Sequence, residues 1–239
     1  MRPILLLCSV CLLVFIAGCK LGSQQSTNNS AGTPAVSNGL TGDRSQAKTL
    51  LEKGKELYLD DQDTEAVAAF EQAVKLDPDL AEAHFRLALG YEALDKRDEA
   101  ESQYKKAVEA YKKHLDGNPD DAEAHYNLGQ TYANLGQYSE AIREYRQATR
   151  LKTGDPDIYY DLGVAHTKLA QYDAAAAAFS KSLEIDPEYY RAQDALDEAR
   201  EGVKRIRAGK KHQADLLKKQ KEEELKKAGL APASPTPKN

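Results

Sequence analysis

Three cysteines and five histidines are the residues of this 239-residue chain best suited to bind a metal or act as nucleophiles. His84, His125 and His166 follow one another at intervals of 41 residues, a spacing that suggests a shared metal ion. However, His84 and His125 occupy the same place in two copies of one repeated phrase, so they must lie about one repeat apart. Zinc needs its nitrogen ligands at about 2 Å. The histidines therefore predict no metal site, and His166 is interpreted as a packing residue.

The N-terminus carries the order of features that directs a protein to a membrane. Arg2 precedes an apolar run from Ile4 to Val14, which only Ser9 interrupts, and small residues follow at Ala17 and Gly18. A positive charge, an apolar stretch and small residues, in that order, are typical of a secretory signal peptide. A membrane-spanning helix is the alternative. The run is shorter than the ~20 residues that a bilayer requires, and a polar stretch follows it, so we favour the signal peptide.

The segment Ile16-Ala17-Gly18-Cys19 resembles the lipobox of bacterial lipoproteins, although Ile16 stands where leucine is commonest. The resemblance implies that residues 1–18 are a signal peptide and that Cys19 becomes the new N-terminus, carrying diacylglycerol and a further acyl group such as palmitate. Lys20 is not the aspartate that retains enterobacterial lipoproteins in the inner membrane. The resemblance therefore favours a lipid-anchored protein of the bacterial outer membrane, facing the periplasm.

Catalytic chemistry is not indicated elsewhere in the chain. Cys8 and Cys11 could form a redox pair, but they lie within the segment that would be removed, and Cys19 would be modified. We find no glycine-rich phosphate loop, nucleophile elbow or paired-carboxylate motif. The sequence therefore predicts no enzyme, no catalytic or metal-binding residue and no cofactor.

The body of the chain repeats itself with a period of 34 residues. Leu128-Gly129 recurs as Leu162-Gly163, and Ala66 recurs as Ala100. This pattern resembles the tetratricopeptide-repeat (TPR) family, which has Leu-Gly at positions 7 and 8, alanine at 20 and 27 and an aromatic residue at 24. The resemblance implies an all-α protein, an α-solenoid of four TPR helix-turn-helix repeats with a C-terminal capping helix. Four repeats exceed the three that stacking usually requires.

The predicted segments follow from these patterns. Residues 1–18 are the signal peptide, 19–46 the lipidated cysteine and a flexible Ser/Thr/Asn/Gly-rich linker, 47–80, 81–121, 122–155 and 156–189 the repeats, 190–208 the capping helix, 209–230 a charged exposed helix, and 231–239 a disordered proline-rich tail. Repeat two has seven extra residues, about two helical turns. Its second helix is therefore expected to run through Tyr111 and His114 and to project from one edge, either as an ordinary elongated helix or as a docking spur.

The TPR resemblance implies that the first helices of the repeats line a concave groove for a protein or peptide ligand. The predicted groove residues are Leu51, Lys55, Phe85, Leu89, Tyr126, Asn127, Gln130, Tyr160 and Val164, and position 6 of the repeats adds Glu52, Arg86 and Asp161. An apolar and aromatic stripe with polar borders suits an extended peptide or a partner helix. The alternative is that the position-5 side chains pack inside their own repeats. Leu51 and Glu123 depart from the carboxylate-clamp version of the family, so a chaperone C-terminus is not the expected ligand.

Charge is distributed unevenly along the chain. The net charge is −5, but residues 200–239 hold 12 basic and 5 acidic residues, whereas residues 19–199 have a net charge of −13. An acidic body disfavours nucleic-acid binding, while the basic tail could bind an anionic polymer or lipid or be a solvated helix. The sequence thus predicts a membrane-anchored scaffold that assembles an envelope, pilus or secretion complex. The alternative is an adaptor for cell-wall or polysaccharide enzymes with a basic polymer-binding tail.

Overall fold

The computed structural model describes residues 37–229, with side chains described from residue 43. Within this range there are nine α-helices and no strand: α1 Ser37–Leu59, α2 Asp63–Leu76, α3 Ala81–Ala93, α4 Arg97–Gly117, α5 Ala122–Asn134, α6 Tyr138–Leu151, α7 Pro156–Lys168, α8 Tyr172–Ile185 and α9 Tyr190–Lys227. Helices α1 to α8 pack as four consecutive pairs, each pair packs on the next, and α9 packs on α8. The predicted all-α solenoid of four repeats with a capping helix is confirmed.

The turn inside each repeat ends the first helix in the same way. One residue of the turn has a positive φ: Asp61, Asp95, Gly136 and Ala170 in repeats one to four. The next amide donates back to a carbonyl of the preceding helix, for example from Gln137 N to Tyr132 O at 2.8 Å. This is the hydrogen bond that closes a Schellman motif, in which a left-handed residue ends the helix. The tight turn holds the two helices of a repeat side by side.

Aromatic side chains pack between the two helices of each repeat. Phe70, Tyr104, Tyr145 and Phe179 occupy equivalent places, and each is 2% exposed or less. Gly129 and Gly163 lie directly against two of these rings: a Cβ atom added to Gly129 would lie 2.6 Å from the ring of Tyr145, and one added to Gly163 would lie 2.5 Å from the ring of Phe179. Glycine is therefore required there because the backbone of the first helix touches the ring.

Helix α1 corrects the predicted extent of the linker. It begins at Ser37, ten residues inside the segment 19–46 that was predicted to be flexible. Once a helix is nucleated, each added residue gains one hydrogen bond, so a packed helix can extend into a sequence of poor propensity. Arg44 in this extension pairs with Asp77 of the first repeat at 3.6 Å. The helix is therefore longer than the composition indicated.

Helix α9 corrects a second boundary. The segments 190–208 and 209–230 were predicted as two helices, but they form one continuous helix of 38 residues. Gly209 costs about 1 kcal/mol in a helix, which is not enough to break it. The first part buries Ala192, Leu196 and Ala199, whereas residues 204–221 are all exposed. Only the first part therefore acts as the predicted cap.

Some sequence predictions lie outside the described residues. They are the signal peptide 1–18, the lipid attachment at Cys19, the linker as far as residue 36 and the tail 231–239. Among residues 37–229, no helix combines the length and the apolar character needed to cross a bilayer.

Candidate functional site

A groove lies along the first helices of the repeats. A cavity of about 370 Å³ between α3, α5 and α7 is lined by Phe85, Leu89, Gln130 and Val164, among others. A second cavity of about 230 Å³ is lined by Lys55 and again by Leu89. Because the two cavities share Leu89 and Arg86, they form one continuous groove across four repeats. The structure thus brings together five of the nine predicted groove residues.

The position-5 side chains pack mainly inside their own repeats. Leu51 and Phe85 are 3% and 4% exposed, so Leu51 belongs to the core, and its assignment to the groove is wrong. The ring of Phe85 lies 6.0 Å from that of Tyr104, although Phe85 also lines the larger cavity. Tyr126 and Tyr160 are half-buried, with their rings 5.9 Å from Tyr145 and 5.7 Å from Phe179. Each position-5 side chain lies next to the aromatic ring of the second helix of its repeat. Packing against this ring removes the apolar surface of the position-5 residue from water.

A hydrogen-bond network crosses the groove floor between repeats three and four. Tyr126 Oη donates to Asp161 Oδ2 at 2.9 Å, and Gln130 Nε2 donates to Tyr126 Oη at 2.9 Å and to Asp161 Oδ2 at 3.3 Å. Burial raises the pKa of Asp161, and the hydrogen bonds from Tyr126 and Gln130 only partly oppose this effect. Within the described part of the chain, Asp161 forms no ion pair. The groove floor therefore holds a carboxyl group whose pKa is raised above that of an exposed aspartate.

Asp161→Asn is expected to raise the free energy of unfolding at neutral pH by on the order of 1 kcal/mol, the scale of an incompletely compensated buried charge. An acid whose pKa is raised on folding contributes its full stability below its unfolded pKa and loses it as the pH rises through the folded pKa. The asparagine variant keeps the acceptor for Tyr126 without this loss. Urea denaturation of both proteins at acidic and neutral pH measures the difference, which should widen as the pH rises.

The control for this prediction is Asp194→Asn on the exposed face of α9, which should leave stability unchanged at both pH values. An asparagine variant at Asp161 that is less stable than the wild type at neutral pH would show that the ionised carboxylate is favoured in the folded protein.

The histidines serve the structure of single repeats. His84 Nδ1 lies 2.8 Å from Gln103 Oε1, and its Nε2 lies 3.0 Å from the carbonyl of Pro78. His125 makes the equivalent contacts with Glu144 and Pro119, at 2.8 and 3.0 Å. No group of three metal-ligating side chains converges anywhere in residues 43–229. Each of these two histidines thus ties the second helix of its repeat to the turn that precedes the first.

His166 occupies the place where the family usually has tyrosine. It is 3% exposed, and its Nδ1 lies 2.7 Å from Gln171 Oε1. Burial lowers the pKa of His166, although the Gln171 hydrogen bond opposes this. The Nε2 atom lies 3.5 Å from Arg146 Nη2, which also lowers the pKa. A buried imidazole held in this way is a packing residue, as the sequence predicted.

Several groove residues were not found from the sequence. Tyr58 lines the smaller cavity, and Asn134 and Tyr138 line the larger one. Tyr138 opens the second helix of its repeat, and the family rule for the concave face points only to first helices. Asn127, in contrast, was predicted to line the groove, but it lines a separate cavity of about 280 Å³ at the edge of the groove.

Comparison with known proteins gives consistent family matches. Family models described as tetratricopeptide repeat match residues 79–154 and 156–189, and one described as TPR repeat matches residues 54–95. No curated protein sequence matches significantly.

Solved structures of similar proteins include MamA, with 26% sequence identity, 79% of this chain and 98% of that chain covered, and a TM-score of 0.49. The first TPR domain of Spaghetti, solved with an HSP90 peptide, has 20% identity, 52% and 92% coverage and a TM-score of 0.43. YrrB, described as a TPR protein with an unusual peptide-binding site, has 20% identity, 69% and 98% coverage and a TM-score of 0.35.

Proposed function

Since this chain belongs to the tetratricopeptide-repeat family, we propose that it is a membrane-anchored scaffold that assembles a protein complex of the bacterial envelope, such as a pilus or secretion complex. The family matches together span residues 54–154 and 156–189, more than half of the chain. Repeats of this family mediate protein–protein interaction, and their stacked helices form extended concave binding surfaces. No enzyme family matches among these models.

The observation that carries the proposal is the continuous groove across the four repeats. Leu89 and Val164 are half-buried and give it apolar surface, while Gln130, Asn134 and Asp161 supply polar groups along the same wall. An extended peptide or a partner helix needs this combination, because apolar anchors supply affinity and polar groups fix the register. A groove of this length fits a macromolecular segment better than a small metabolite.

The anchor is the second part of the proposal. The lipobox-like setting of Cys19 supports a lipid anchor, and Lys20 after it favours the outer membrane facing the periplasm. Helix α1 begins at Ser37, so 17 residues separate Cys19 from the solenoid. The flexible linker predicted from the sequence would, at that length, span roughly 20 to 25 Å. The groove would thus be held close to the membrane surface.

The exposed basic half of α9 favours an alternative function, that of an adaptor for cell-wall or polysaccharide enzymes. Residues 204–221 contain eight lysines and arginines but only one acidic residue, Asp215, and all are exposed. Such a segment attracts anionic polymer or anionic lipid through its charge. In this case the repeats would bind the enzyme while α9 touches its substrate polymer.

Site-specific photocrosslinking in cells separates these functions. A crosslinker at Val164, in the groove, should give discrete protein adducts, whereas one at the exposed Ala177 of α8 should not. Leu89→Asp should weaken the Val164 adducts at least tenfold, because a charge in an apolar anchor site costs more than 1.4 kcal/mol. Phe85 is unsuitable for this purpose, since a buried residue would affect folding.

The identity of the adducts decides between the two proposals. Secretion, pilus or pore components support the scaffold, and wall hydrolases or synthases support the adaptor. Equal adducts from Val164 and Ala177, or Val164 adducts that persist in folded Leu89→Asp protein, would contradict a groove function.

A further inference from the structure

Helix α9 leaves the solenoid beside the turn of repeat four and continues as an exposed basic segment. Its first part still packs at this turn, because a Cβ atom added to Gly202 would lie 2.5 Å from the ring of Tyr172. Slightly further along, Arg207 pairs with Asp173 at 3.3 Å. Residues 204–221, which we call the basic arm, are all exposed. At 1.5 Å per residue, the basic arm extends over about 27 Å.

The basic arm carries more positive charge than its own chain neutralises. It contains eight lysines and arginines and one acidic residue, Asp215. Three of the eight form ion pairs with carboxylates of the same chain. The other five form none within residues 43–229, namely Arg205, Lys210, Lys211, Lys219 and Lys221. Leu216 and Leu217 are 47% and 59% exposed, so the basic arm also presents apolar surface.

The opposite charge is concentrated in the turns of the first two repeats. Four ten-residue windows occupy the same place in successive repeats, 58–67, 92–101, 133–142 and 167–176, and their net charges are −4, −3, −1 and 0. We call the first two windows the acidic turns. Of their nine carboxylates, only Asp95 and Glu101 form an ion pair in the described part of the chain. Leu59, which also lines the smaller groove cavity, is 82% exposed in the first acidic turn.

The turns of successive repeats follow one another along one edge of the solenoid. Burial raises the pKa of Tyr58, and the carboxylates of Asp63 and Glu92 raise it further, so the two acidic turns lie side by side. A cavity lined by Arg97 and Gln137 joins the second turn to the third. The basic arm leaves from the fourth turn, at the far end of this edge. Because α9 is one continuous helix, the basic arm cannot fold back onto the acidic turns of its own chain.

We propose that the basic arm binds the acidic turns of a second copy of this chain. In this pair, lysines of the arm face the carboxylates of repeats one and two, and Leu216 and Leu217 lie against Leu59. The arm is more than twice as long as the 8–10 Å between neighbouring helices, so it can contact both acidic turns. The two surfaces lie at opposite ends of one edge, so two antiparallel copies can exchange both contacts. Such a two-fold pair is closed, as in the commonest class of oligomer.

An anionic bilayer or polymer is the competing partner for the basic arm. Either one would neutralise the lysines, but neither accounts for unpaired carboxylates around an exposed leucine in the first two turns. Pairing of two copies accounts for both surfaces through charge complementarity. The inference goes beyond the proposed function, and it requires neither a ligand in the groove nor a lipid on Cys19.

Photocrosslinking of the full-length protein in cells tests this contact. A crosslinker at Gln213, in the middle of the basic arm, should give an adduct of twice the mass of the protein. The crosslinked peptides should map to the acidic turns. A crosslinker at Gln193, which is exposed on the first part of the same helix, should give no adduct of this mass.

A charge exchange identifies the paired surfaces. Lys210→Glu with Lys211→Glu reverses charge in the basic arm, and Asp60→Lys with Asp98→Lys reverses it in the acidic turns. Either double variant should lower the dimer adduct at least about tenfold, because like charges then face each other. When the two variants are expressed together with different tags, the adduct between them should return to within about twofold of the wild type, since opposite charges meet again at both contacts. This recovery would also show that both variants fold.

Asp120→Lys with Glu188→Lys is the matched control, because it reverses two exposed acidic residues in the turns between repeats, on the opposite edge. It should leave the dimer adduct unchanged. The proposal would be overturned by a dimer adduct that survives both charge reversals, by variants that do not restore each other, or by the absence of a dimer adduct from Gln213. Adducts from Gln213 with lipid or wall polymer alone would overturn it as well, and those with wall polymer would favour the adaptor function.

Discussion

Phe179→Ala is expected to lower the free energy of unfolding by about 3 to 5 kcal/mol, the usual cost of truncating a buried phenylalanine. Phe179 is 1% exposed and lies between the two helices of repeat four, with the ring of Tyr160 5.7 Å away. Its ring also touches the backbone at Gly163. Helices that approach this closely cannot collapse further, so alanine leaves a cavity. Urea denaturation followed by circular dichroism measures the loss.

Leu217→Ala is the matched control for this prediction. It also removes a large apolar side chain from a helix, but Leu217 is 59% exposed on α9. A substitution away from the core should change stability by no more than about 0.5 kcal/mol. Similar losses in the two variants would mean that burial in repeat four does not decide stability.

Cys19→Ser is expected to abolish acyl labelling of the protein and to leave residues 1–18 attached. The reason is chemical, since serine offers no thiol for alkylation and processing of such lipoproteins follows lipid attachment. Each acyl methylene buried in the membrane contributes about 0.8 kcal/mol, so loss of the chains removes the anchor itself. Labelling with an alkyne fatty acid and mass spectrometry of the N-terminus measure both effects.

Cys11→Ser provides the comparison, because this thiol lies within the segment that would be removed and should not carry the lipid. This variant should label and mature normally. A Cys19→Ser protein that is fully processed and found in the soluble fraction would show that Cys19 is not the lipidated residue and that another type of leader directs export.

The architecture of the repeats could be predicted from the sequence because its signals are local and periodic. Small residues such as Gly129 and Gly163 recur 34 residues apart, and an aromatic residue follows each of them at a fixed distance. The structure shows the reason, since these rings lie directly on the glycine backbone. The elongated α4 could also be predicted from the sequence, because the seven extra residues of repeat two and the helical period specify its length.

Helix boundaries at the ends of the solenoid depended on more than local composition. Ser37 to Gln46 looks like a linker, yet it continues α1, and Gly209 looks like a break, yet it lies inside α9. In both places the helix continues past the residues that pack against the solenoid, because extending a helix is easier than nucleating one. The amino-acid composition of a segment alone does not show that a neighbouring helix will extend into it.

By itself, the sequence determined the repeat count and the helical class, because both depend on spacing along the chain, while the family resemblance indicated which helices face the groove. Only the tertiary structure decided that Leu51 is core while Leu89 faces the groove, and that Asp161 joins Tyr126 on its floor. It also placed Tyr111 beside Glu123, from helices α4 and α5. Such pairings depend on how successive repeats stack, and this relation between distant residues leaves no periodic signal in the sequence.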